Sequence, residues 1–487
     1  FIFTLSKSQM NFEQVNIPEK LVPDNYLQLG LAAQRSKQRS FKELLEKRKL
    51  PKNGWSDERI EELVHMLASL DSNNYPHKVG LGEREARIAC KLVARRHYNF
   101  GHGIGRSGDL LEAQPKAAGS TLLARLTNAL ILDLIRGIGL PSCAGCFLVP
   151  MCTGMTLTLC LQSLRKRRPG ARYVLWSRID QKSCFKAITA TGLVPVVIPC
   201  LIKGESLNTN VDLFREKIKS LGVDSILCLY TTTSCFAPRN SDDIAEVSKL
   251  SKQWQIPHLV NNAYGLQAKE IVNQLECANR VGRIDYFVQS SDKNLLVPVG
   301  SAIVASFNES VLHDVASTYA GRASGSQSLD VLMTLLSLGR NGFRLLFDQR
   351  GENFNYLREN LRKFAEPRGE IVIDSRFNSI SLAITLATLA GDQMKSITKL
   401  GSMLHMRGVS GARVIVPGQN KTIDGHEFLD FGSHRSNLQV PYLTVAAGIG
   451  ITREEIDKFF DIFNKCWNQI FQTKNEKIMS LLETTIK

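Results

Sequence analysis

Seven short apolar runs between residues 143 and 307 constrain the fold of this chain more than any other feature. They read CFLVP, RYVLW, VPVVI, SILCLYT, HLVNNA, YFVQS and SAIVASF, and helix-like stretches separate most of them. Runs this rich in β-branched residues, joined by helices, are typical of a mainly parallel sheet covered on both faces. Only a short loop separates the last two runs, so we expect an antiparallel seventh strand. The sequence therefore predicts an α/β fold.

The chain has 487 residues, which is too long for one ordinary hydrophobic core. We expect a helical, basic N-terminal arm over residues 1–52, a large domain with the seven-stranded sheet over residues 53–340, and a smaller C-terminal α+β domain over residues 341–487. Apolar periodicity predicts helices over 10–52, Asp57–Leu70, Glu83–Phe100, Arg344–Phe364 and Arg453–Phe471, and strands near 370–386 and 412–416.

One stretch without charged residues, Gly137 to Leu164, is long enough to span a membrane. Pro141 and Pro150 interrupt it, so we interpret it as a turn, a buried strand, a second turn and a helix in a soluble core. The N-terminal residues show no cleavage pattern of a secretory signal. We expect a cytoplasmic protein without a membrane segment, in which Met10 is the natural start and residues 1–9 are an artefact.

The net charge of +15 indicates a polyanionic partner, either nucleic acid or an acidic membrane surface. A soluble basic enzyme without such a partner is the plainer alternative. The eleven cysteines are scattered, and only Cys143 and Cys146 have CxxC spacing. Because no second pair completes a zinc site, the sequence predicts a reduced cytosolic chain without a structural metal.

A glycine-rich loop, GIGRSG, covers Gly103–Gly108 and matches GxGxxG. A dinucleotide-binding fold requires a strand before this loop, whereas a predicted helix precedes it, so we reject that interpretation. Glycines still let backbone N–H groups converge on an anion, and Arg106 and Ser107 add donors. With Gln114 and Lys116 close by, the loop predicts a phosphate site, and a plain tight turn is the alternative.

The segment FVQSSDKNLLVPVGS places Lys293 between two runs that are typical of a protein core. The lysine is either a charged turn residue or an amine placed for covalent binding. Earlier in the chain, PMCTGMTLTLCL puts Thr153 and Gly154 at a strand-to-helix junction, where a helix N-terminus can hold a phosphate. A phosphate turn, then HLVNNAYG, then a strand-end lysine resembles the layout of fold-type I pyridoxal-phosphate enzymes. In that layout the lysine amine forms a Schiff base with the cofactor aldehyde.

The resemblance to fold-type I enzymes implies that Asn261 faces the pyridine nitrogen of the cofactor. Members of that superfamily usually carry an aspartate there, which keeps the nitrogen protonated. A neutral amide weakens the electron sink. Such a sink suits elimination of a good leaving group such as phosphate, and it suits transamination poorly.

Longer motifs identify a family. GEREARIACKLVARRHYNFGHGIGRSGDLLEAQPKAAGS, SRIDQKSCFKA, TTTSCFAPR, VNNAYG, RVGRIDYFVQSSDKN, GRASGSQSLDVL and VSGARV resemble the O-phosphoseryl-tRNA(Sec) selenium transferases, from about Leu21 to Cys466. The resemblance implies conversion of O-phosphoseryl-tRNA(Sec) to selenocysteinyl-tRNA(Sec) in selenocysteine biosynthesis. It implies pyridoxal 5′-phosphate as cofactor, selenophosphate as selenium donor, β-elimination of phosphate before selenium addition, and a homotetramer built by the N-terminal arm.

The resemblance also assigns site residues by matching motif. Lys293 is the Schiff-base lysine, and the other cofactor residues are Arg84, Thr153, Gly154, Gln181 and Asn261. The phosphate of the phosphoseryl group is assigned to Arg106, Ser107, Gln114 and Arg322. Glu83 is the filter that repels the α-carboxylate of a free amino acid. The tRNA contacts are Arg280 and Arg407.

The C-terminal tRNA contact departs from the family pattern. Gln472 stands where the family has a lysine in its last helix, and Lys474 follows two residues later. The net charge agrees with a tRNA substrate, since phosphates attract lysine and arginine whatever the base sequence. Two alternatives are a cofactor-dependent lyase or desulfurase acting on a free amino acid, and a tRNA-binding scaffold without catalysis.

Overall fold

The computed structural model of the chain describes residues 20–234, 236–390 and 394–485. The predicted start at Met10 and the predicted artefact over residues 1–9 lie outside these residues. The chain divides into two compact units. The first unit ends at Leu134 and also contains Gly321–Asn341, and the second contains Ile135–Ala320 and continues from Gly342. The three-part division of the chain into arm, large domain and small domain stays a prediction.

From residue 20 onward, four α-helices precede the sheet: α1 Asp24–Lys47, α2 Asp57–Ala68, α3 Lys91–Arg96 and α4 Ala118–Gly137. Helix α1 has Asp24 in its first turn and Lys47 in its last, which complements the helix dipole. It ends because Arg48 adopts a left-handed conformation (φ 51°) and donates its N–H to Leu44 O.

The predicted helix over Glu83–Phe100 is wrong except for α3. Glu85 accepts from Gly82 N at 3.0 Å, and Arg87 Nη2 donates to Gly80 O at 2.8 Å. Ala86 adopts a positive φ of 52°. Side-chain bonds to the backbone therefore replace helical bonds in this segment, a competition that apolar periodicity does not reveal.

Helix α4 is long and apolar enough, by length and composition, to cross a membrane, and 56% of its most apolar window is buried within the protein. The uncharged stretch from Gly137 to Leu164 is a different segment. It forms the turn, strand, turn and helix that the sequence predicts, with strand β1 over Gly145–Val149 and helix α5 over Thr153–Arg167.

The second unit contains the seven-stranded sheet in the order β1-β9-β8-β7-β6-β2-β3. Each predicted apolar run forms one of its strands, and a hairpin, β4–β5, was not predicted. After β1 the strands are β2 Tyr173–Ser177, β3 Val194–Ile198, β4 Leu201–Lys203, β5 Ser206–Asn208, β6 Ile226–Thr232, β7 His258–Asn261, β8 Tyr286–Ser290 and β9 Ala302–Ser306.

Strand β9 is antiparallel to both β8 and β1, which confirms the predicted antiparallel seventh strand. The other neighbouring strands of this sheet pair in parallel. The carboxyl ends of β1, β2, β7 and β8 consequently lie at one edge of the sheet. In open α/β sheets that edge is where ligands bind.

Helices cover the sheet, as the β-rich runs predict. Asn210 caps α7 by accepting from Leu213 N, and Asp243 caps α8 by accepting from Glu246 N. After α5 the helices are α6 Lys182–Thr189, α7 Val211–Leu221, α8 Ile244–Trp254, α9 Lys269–Val281, α10 Ser291–Leu295 and α11 Ser310–Ala316.

The longest helix, α12, spans Ser326–Ala365 and includes the predicted helix over Arg344–Phe364. Gly339 interrupts it with a φ of 60°. A side chain at this position would place its Cβ 2.6 Å from the Asn53 carbonyl carbon. Both the backbone conformation and the close approach therefore require glycine.

The C-terminal part of the second unit is α+β, as predicted. Its four-stranded sheet has the order β10-β11-β15-β12, and β13 and β14 form a hairpin. Phe364, Phe463 and Trp467 pack in its core, with the two phenylalanine rings stacked at 4.3 Å. The elements are β10 Val372–Ile373, β11 Ser381–Thr385, α13 Ala387–Ala390, α14 Met394–Met406, β12 Arg413–Ile415, β13 Lys421–Ile423, β14 His426–Phe428, β15 Tyr442–Ala446 and α15 Arg453–Thr485.

Candidate active site

Lys293 lies in the single helical turn α10, which begins directly after β8. Its Nζ lies 3.3 Å from Ser290 Oγ, 3.8 Å from Asp292 Oδ2 and 5.2 Å from the centre of the Tyr264 ring. The side chain is 33% exposed. The amine is therefore reachable from solvent, although the strand before it is fully buried.

The backbone around Lys293 is held by buried amide side chains. Gln267 Nε2 donates to Lys293 O at 2.8 Å, and Asn294 Nδ2 donates to Ala263 O at 2.9 Å. These bonds join α10 to the segment that follows β7. They hold the lysine in a helical turn rather than in an extended strand end.

Thr153 and Gly154 open α5 at the carboxyl end of β1. Thr153 Oγ1 is buried, with no hydrogen-bond partner in the described parts of the chain. No side chain of the N-cap residue bonds to the first turn. A Cβ on Gly154 would lie 3.1 Å from Ser183 Cβ, so a larger residue would crowd α6. An uncapped helix N-terminus with a buried hydroxyl suits an anion.

Cys184 connects Gln181 and Asn261. Its thiol donates to Gln181 Oε1 at 3.6 Å, and its sulfur accepts from Asn261 Nδ2 at 3.1 Å. Asn261 ends β7, is 2% exposed, and accepts from Ala263 N at 3.1 Å through Oδ1. Burial raises the pKa of the Cys184 thiol, so the thiol stays protonated and the amide keeps a neutral neighbour.

These groups lie at the carboxyl ends of β1, β2, β7 and β8. They comprise an accessible amine, an uncapped helix N-terminus with an orphaned hydroxyl, and a buried neutral amide. A pyridoxal phosphate needs a lysine amine, donors for its phosphate and a partner for its ring nitrogen. The residues present in the second unit therefore fit that group, with Lys293, Thr153 and Asn261 in these respective positions.

The first unit carries the glycine-rich loop. Arg106 and Asp109 exchange two backbone hydrogen bonds of 2.9 Å, which close a tight turn around Ser107 (φ 48°). Gly103 has a φ of 73°, and a Cβ there would lie 2.4 Å from Ala323 O. The side chain of Arg106 is 48% exposed, with Glu112 Oε1 at 3.7 Å. The loop thus presents a cation from a backbone that requires glycine.

Arg322 joins this loop through a backbone bridge. Ile104 N donates to Ala323 O at 2.9 Å, and Ala323 N donates to Ile104 O at 3.1 Å. Arg322 Nη2 donates to His102 O, and its Nε is buried without a partner among the described residues. Burial lowers the pKa of His102, which therefore adds no positive charge at neutral pH. The fold thus joins the segment that carries Arg322 to the loop that carries Arg106, although the two residues lie more than two hundred positions apart in sequence.

Gln114 lies in the same unit and is half-buried. Its backbone N donates to Thr121 Oγ1 at 3.2 Å, which orients the segment before α4. Lys116, by contrast, forms an ion pair with Glu85. The Glu85 carboxylate therefore offsets its charge. Lys116 stabilises the local structure more than it attracts a bound anion.

Glu83 and Arg84 occupy an exposed irregular segment of the first unit. Arg84 Nε lies 3.6 Å from Glu83 Oε1, and the side chains are 70% and 88% exposed respectively. Exposed pairs of this kind are weak. Both groups are therefore able to turn toward a bound molecule.

The sequence model of the family described as O-phosphoseryl-tRNA(Sec) selenium transferase, SepSecS, matches residues 70–468. The chain belongs to the SepSecS family. It is 42% identical to the O-phosphoseryl-tRNA(Sec) selenium transferase of Dictyostelium discoideum, over 94% of this chain and 100% of that protein. It is 42% identical to the Caenorhabditis elegans enzyme of the same name, over 88% of each chain.

Solved structures agree with this membership in the SepSecS family. The crystal structure of an archaeal O-phosphoseryl-tRNA(Sec) selenium transferase matches with a TM-score of 0.85 and 29% identity, covering 93% of this chain and 99% of that one. The sphingosine-1-phosphate lyase of Burkholderia pseudomallei matches with a TM-score of 0.53 and 12% identity, covering 98% and 97%. The second likeness shows the fold alone. Together the neighbours confirm the predicted fold-type I architecture.

The residues that the family resemblance assigns to tRNA lie on the exposed surface of the second unit, Arg280 on α9 and Arg407 in the turn after α14. Arg280, in the last turn of α9, is 71% exposed and lies 3.6 Å from Glu276 Oε1. Arg407 is exposed, and its Nη2 donates to Gln469 Oε1 at 3.2 Å. Gln472 is exposed on α15, and the side chain of Lys474 lies outside the described residues.

Sequence reasoning did not single out Cys184 or Tyr264. Cys184 bonds two predicted cofactor residues, and the Tyr264 ring lies beside the Lys293 amine. Both occur inside motifs that identify the family, SRIDQKSCFKA and VNNAYG. Each follows a predicted cofactor residue in the same motif, Cys184 after Gln181 and Tyr264 after Asn261, and that position was the available signal.

Proposed function

We propose that this chain converts O-phosphoseryl-tRNA(Sec) to selenocysteinyl-tRNA(Sec) in selenocysteine biosynthesis, with selenophosphate as the selenium donor. Membership in the SepSecS family, over residues 70–468, is the observation that carries the proposal. The accessible Lys293 amine supplies a group for proton removal, and Arg106 and Arg322 supply donors for the phosphate that leaves in the elimination.

The second unit is proposed to hold pyridoxal 5′-phosphate. The Lys293 amine is the attachment point, and Thr153 Oγ1 with the N–H groups that open α5 binds the cofactor phosphate. Asn261 would bind the ring nitrogen, with Gln181 also contacting the cofactor, and the family resemblance further assigns Arg84, a residue of the first unit, to the cofactor phosphate. When bound, the cofactor supplies an electron sink for the pair left on Cα after proton removal.

Different side chains are proposed to remove the proton and to bind the leaving phosphate. Released by the substrate amine, Lys293 Nζ takes the Cα proton, with Ser290 Oγ 3.3 Å away as a hydrogen-bond partner. Arg106, Ser107, Gln114 and Arg322 bind the phosphate that leaves Cβ. Because charge develops on that phosphate as it departs, preorganised guanidinium donors stabilise the departure. Selenium from selenophosphate then adds at Cβ, Cα regains a proton, and water cleaves the Se–P bond so that a second phosphate is released.

Glu83 is proposed to exclude free amino acids. Free phosphoserine carries an α-carboxylate, whereas the tRNA ester does not. Arg280 and Arg407 are proposed to contact the tRNA. The exposed arginines and the net charge of +15 support a ligand rich in phosphate.

We also propose a cytoplasmic homotetramer in which the N-terminal arm, including α1, contacts other copies. Tyr26 and Leu29 support this assembly because they are large apolar side chains, 63% and 71% exposed on α1. Light scattering of the purified chain measures the mass directly. A monomer would refute the tetramer without touching the proposed reaction.

The deciding experiment offers two substrates to the purified chain. With selenophosphate and phosphoseryl-tRNA(Sec), we expect selenocysteinyl-tRNA(Sec), detected by mass spectrometry of the released amino acid. With free phosphoserine, we expect much slower turnover. Equal turnover of the free amino acid would favour a lyase, and binding of tRNA without turnover would favour a scaffold.

A further inference from the structure

The second unit contains a cavity of about 440 Å³ that involves none of the residues discussed above. The start of α9, the second part of α12 and the segment before β11 line it. Its volume falls within the range of small-molecule sites. The charged and hydroxyl residues that line it are Glu270, Arg350, Arg358, Asp374, Ser375, Arg376 and Ser379.

Arg350 is the central cation of this cavity. It is 4% exposed, and its Nη1 donates to Ser379 O at 2.6 Å. Its Nε is buried and has no hydrogen-bond partner in the part of the chain that the structure describes. Burial lowers the pKa of the guanidinium, and Glu270 opposes that shift. A buried guanidinium with an unpaired N–H is unfavourable unless acceptor oxygens reach it.

Arg358 adds a second cation on the same wall. Its Nη2 donates to Asn355 Oδ1 at 2.8 Å, while its Nε is buried and unpartnered within the described ranges. Its closest acid, Asp374, lies 3.7 Å from Nη1 and is also bound by Arg362 at 2.8 Å. The Asp374 carboxylate thus pairs with two arginines, so this wall of the cavity carries excess positive charge.

Ser379 supplies a hydroxyl donor. Its carbonyl holds Arg350, and its Oγ is buried with no partner among the residues described. The following residue, Ile380, packs with Ile271 and Tyr264. This apolar layer includes the Tyr264 ring, which lies beside the Lys293 amine. None of the residues of this layer is among those that line the cavity.

We propose that this cavity binds a small molecule through a phosphate or carboxylate group, with Arg350 and Ser379 as donors. The planar guanidinium fork matches two oxygens of either group. Arg358 and Arg376 add long-range attraction, and Glu270 limits the affinity. The ligand is distinct from the reacting phosphoseryl group, which is assigned to residues of the first unit.

Isothermal titration of the full chain with inorganic phosphate, and separately with acetate, tests the proposal. The Arg106→Ala variant removes the proposed substrate-phosphate contact, so that remaining binding reports on the cavity. In that variant, with pyridoxal phosphate bound so that the proposed phosphate site at α5 is occupied, we expect one anion site, and Arg350→Met should weaken it at least tenfold, as loss of a charge-assisted bond implies. The probe that binds more tightly identifies the head group as phosphate or carboxylate.

Two further variants control the outcome. Glu270→Gln should tighten the remaining site severalfold, because it removes a like charge. Arg344→Met, on the same helix and 81% exposed, should leave it unchanged. The proposal is overturned if the Arg106→Ala protein binds neither anion, or if Arg350→Met and Glu270→Gln both leave the affinity unaltered. If circular dichroism shows that Arg350→Met is unfolded, two other variants test the proposal. Glu270→Gln should then tighten anion binding, and Arg376→Met should weaken it.

Discussion

The two units surround their candidate catalytic groups in opposite ways. In the second unit, Asn261 and Cys184 are buried and neutral, and the Lys293 side chain is one-third exposed. In the first unit, Arg106 is about half exposed, and Glu83 is almost fully exposed. The former surroundings suit a tightly held aromatic group, and the latter suit capture of a charged substrate that arrives from water.

This difference has a physical consequence. Buried polar groups depend on complete hydrogen bonding, so changes there should alter cofactor retention and stability. Exposed charges act through screened electrostatics, so changes there should alter substrate affinity and its salt dependence. Four predictions test the contrast, in decreasing order of expected effect.

The largest effect is expected for Lys293→Ala. Loss of the amine removes both the attachment point and the proton acceptor, so turnover of phosphoseryl-tRNA(Sec) should fall at least about a thousandfold. The visible absorbance of the bound cofactor should change as well. Lys269→Ala, an exposed lysine of α9, is the matched control. Retained turnover in Lys293→Ala would refute the assigned role.

The second largest effect is expected for stability at acidic pH, which depends on two buried histidines of the second unit. Burial lowers the pKa of His258 and of His434 to about 4, against an ordinary value of 6.5. The unfolded chain therefore binds more protons between these values. Stability is present above pH 6.5 and should fall as the pH drops toward 4, by roughly 3 kcal/mol per histidine.

Urea denaturation between pH 7.5 and 4 measures this loss. His258 bonds to Thr231 Oγ1 and Ser248 Oγ, so His258→Gln keeps polarity while it removes the titration. The variant should be less stable at neutral pH and should lose less stability on acidification. If the free energy of unfolding varied with pH equally in the unchanged chain and in His258→Gln, the lowered pKa of His258 would be contradicted.

A smaller effect is expected for Arg106→Ala in the first unit. Removing one charge-assisted contact to the leaving phosphate should lower kcat/KM for phosphoseryl-tRNA(Sec) about ten- to hundredfold. The cofactor absorbance should remain. Arg95→Ala removes an equal charge from an exposed helix of the same unit and serves as the control. Loss of the cofactor band in Arg106→Ala would show that the loop had been misassigned.

The smallest effect is expected for Glu83→Gln. Because its side chain is 88% exposed, its repulsion of a free carboxylate is screened. Turnover of free phosphoserine should rise only severalfold, more at low salt than at high salt, and turnover of the tRNA ester should stay constant. Glu58→Gln, on α2, controls for charge alone. A parallel rise for both substrates would argue against a filter.

Much of the fold was predictable because fully buried strands leave a continuous apolar signal. All seven runs form strands, and the antiparallel β9 follows from a connection too short for a crossover. The helix predicted over Glu83–Phe100 failed because Glu85 and Arg87 bond to backbone atoms nearby. Periodicity reports which face is apolar, and it does not report such local competition.

The candidate site was predictable only where residues follow one another in a motif. The order of strands and turns resembles that of fold-type I enzymes, and this resemblance assigned predicted roles to Lys293, Thr153 and Asn261. The hydrogen bonds of Cys184 to Gln181 and Asn261 could not be predicted from the sequence, because they connect α6 with β7. The arginine cavity around Arg350 left no motif, since its wall comes from three separate segments.

The sequence by itself determined the family, the parallel sheet and the lysine at the end of β8, because these depend on local patterns and on motif order. Only the tertiary structure decided which distant groups meet. It joined Arg322 to the Arg106 loop, buried His434 near Asp180, and left Arg350 with an unpaired nitrogen among the described residues. Such outcomes depend on burial and hydrogen-bond geometry, which arise when the chain packs.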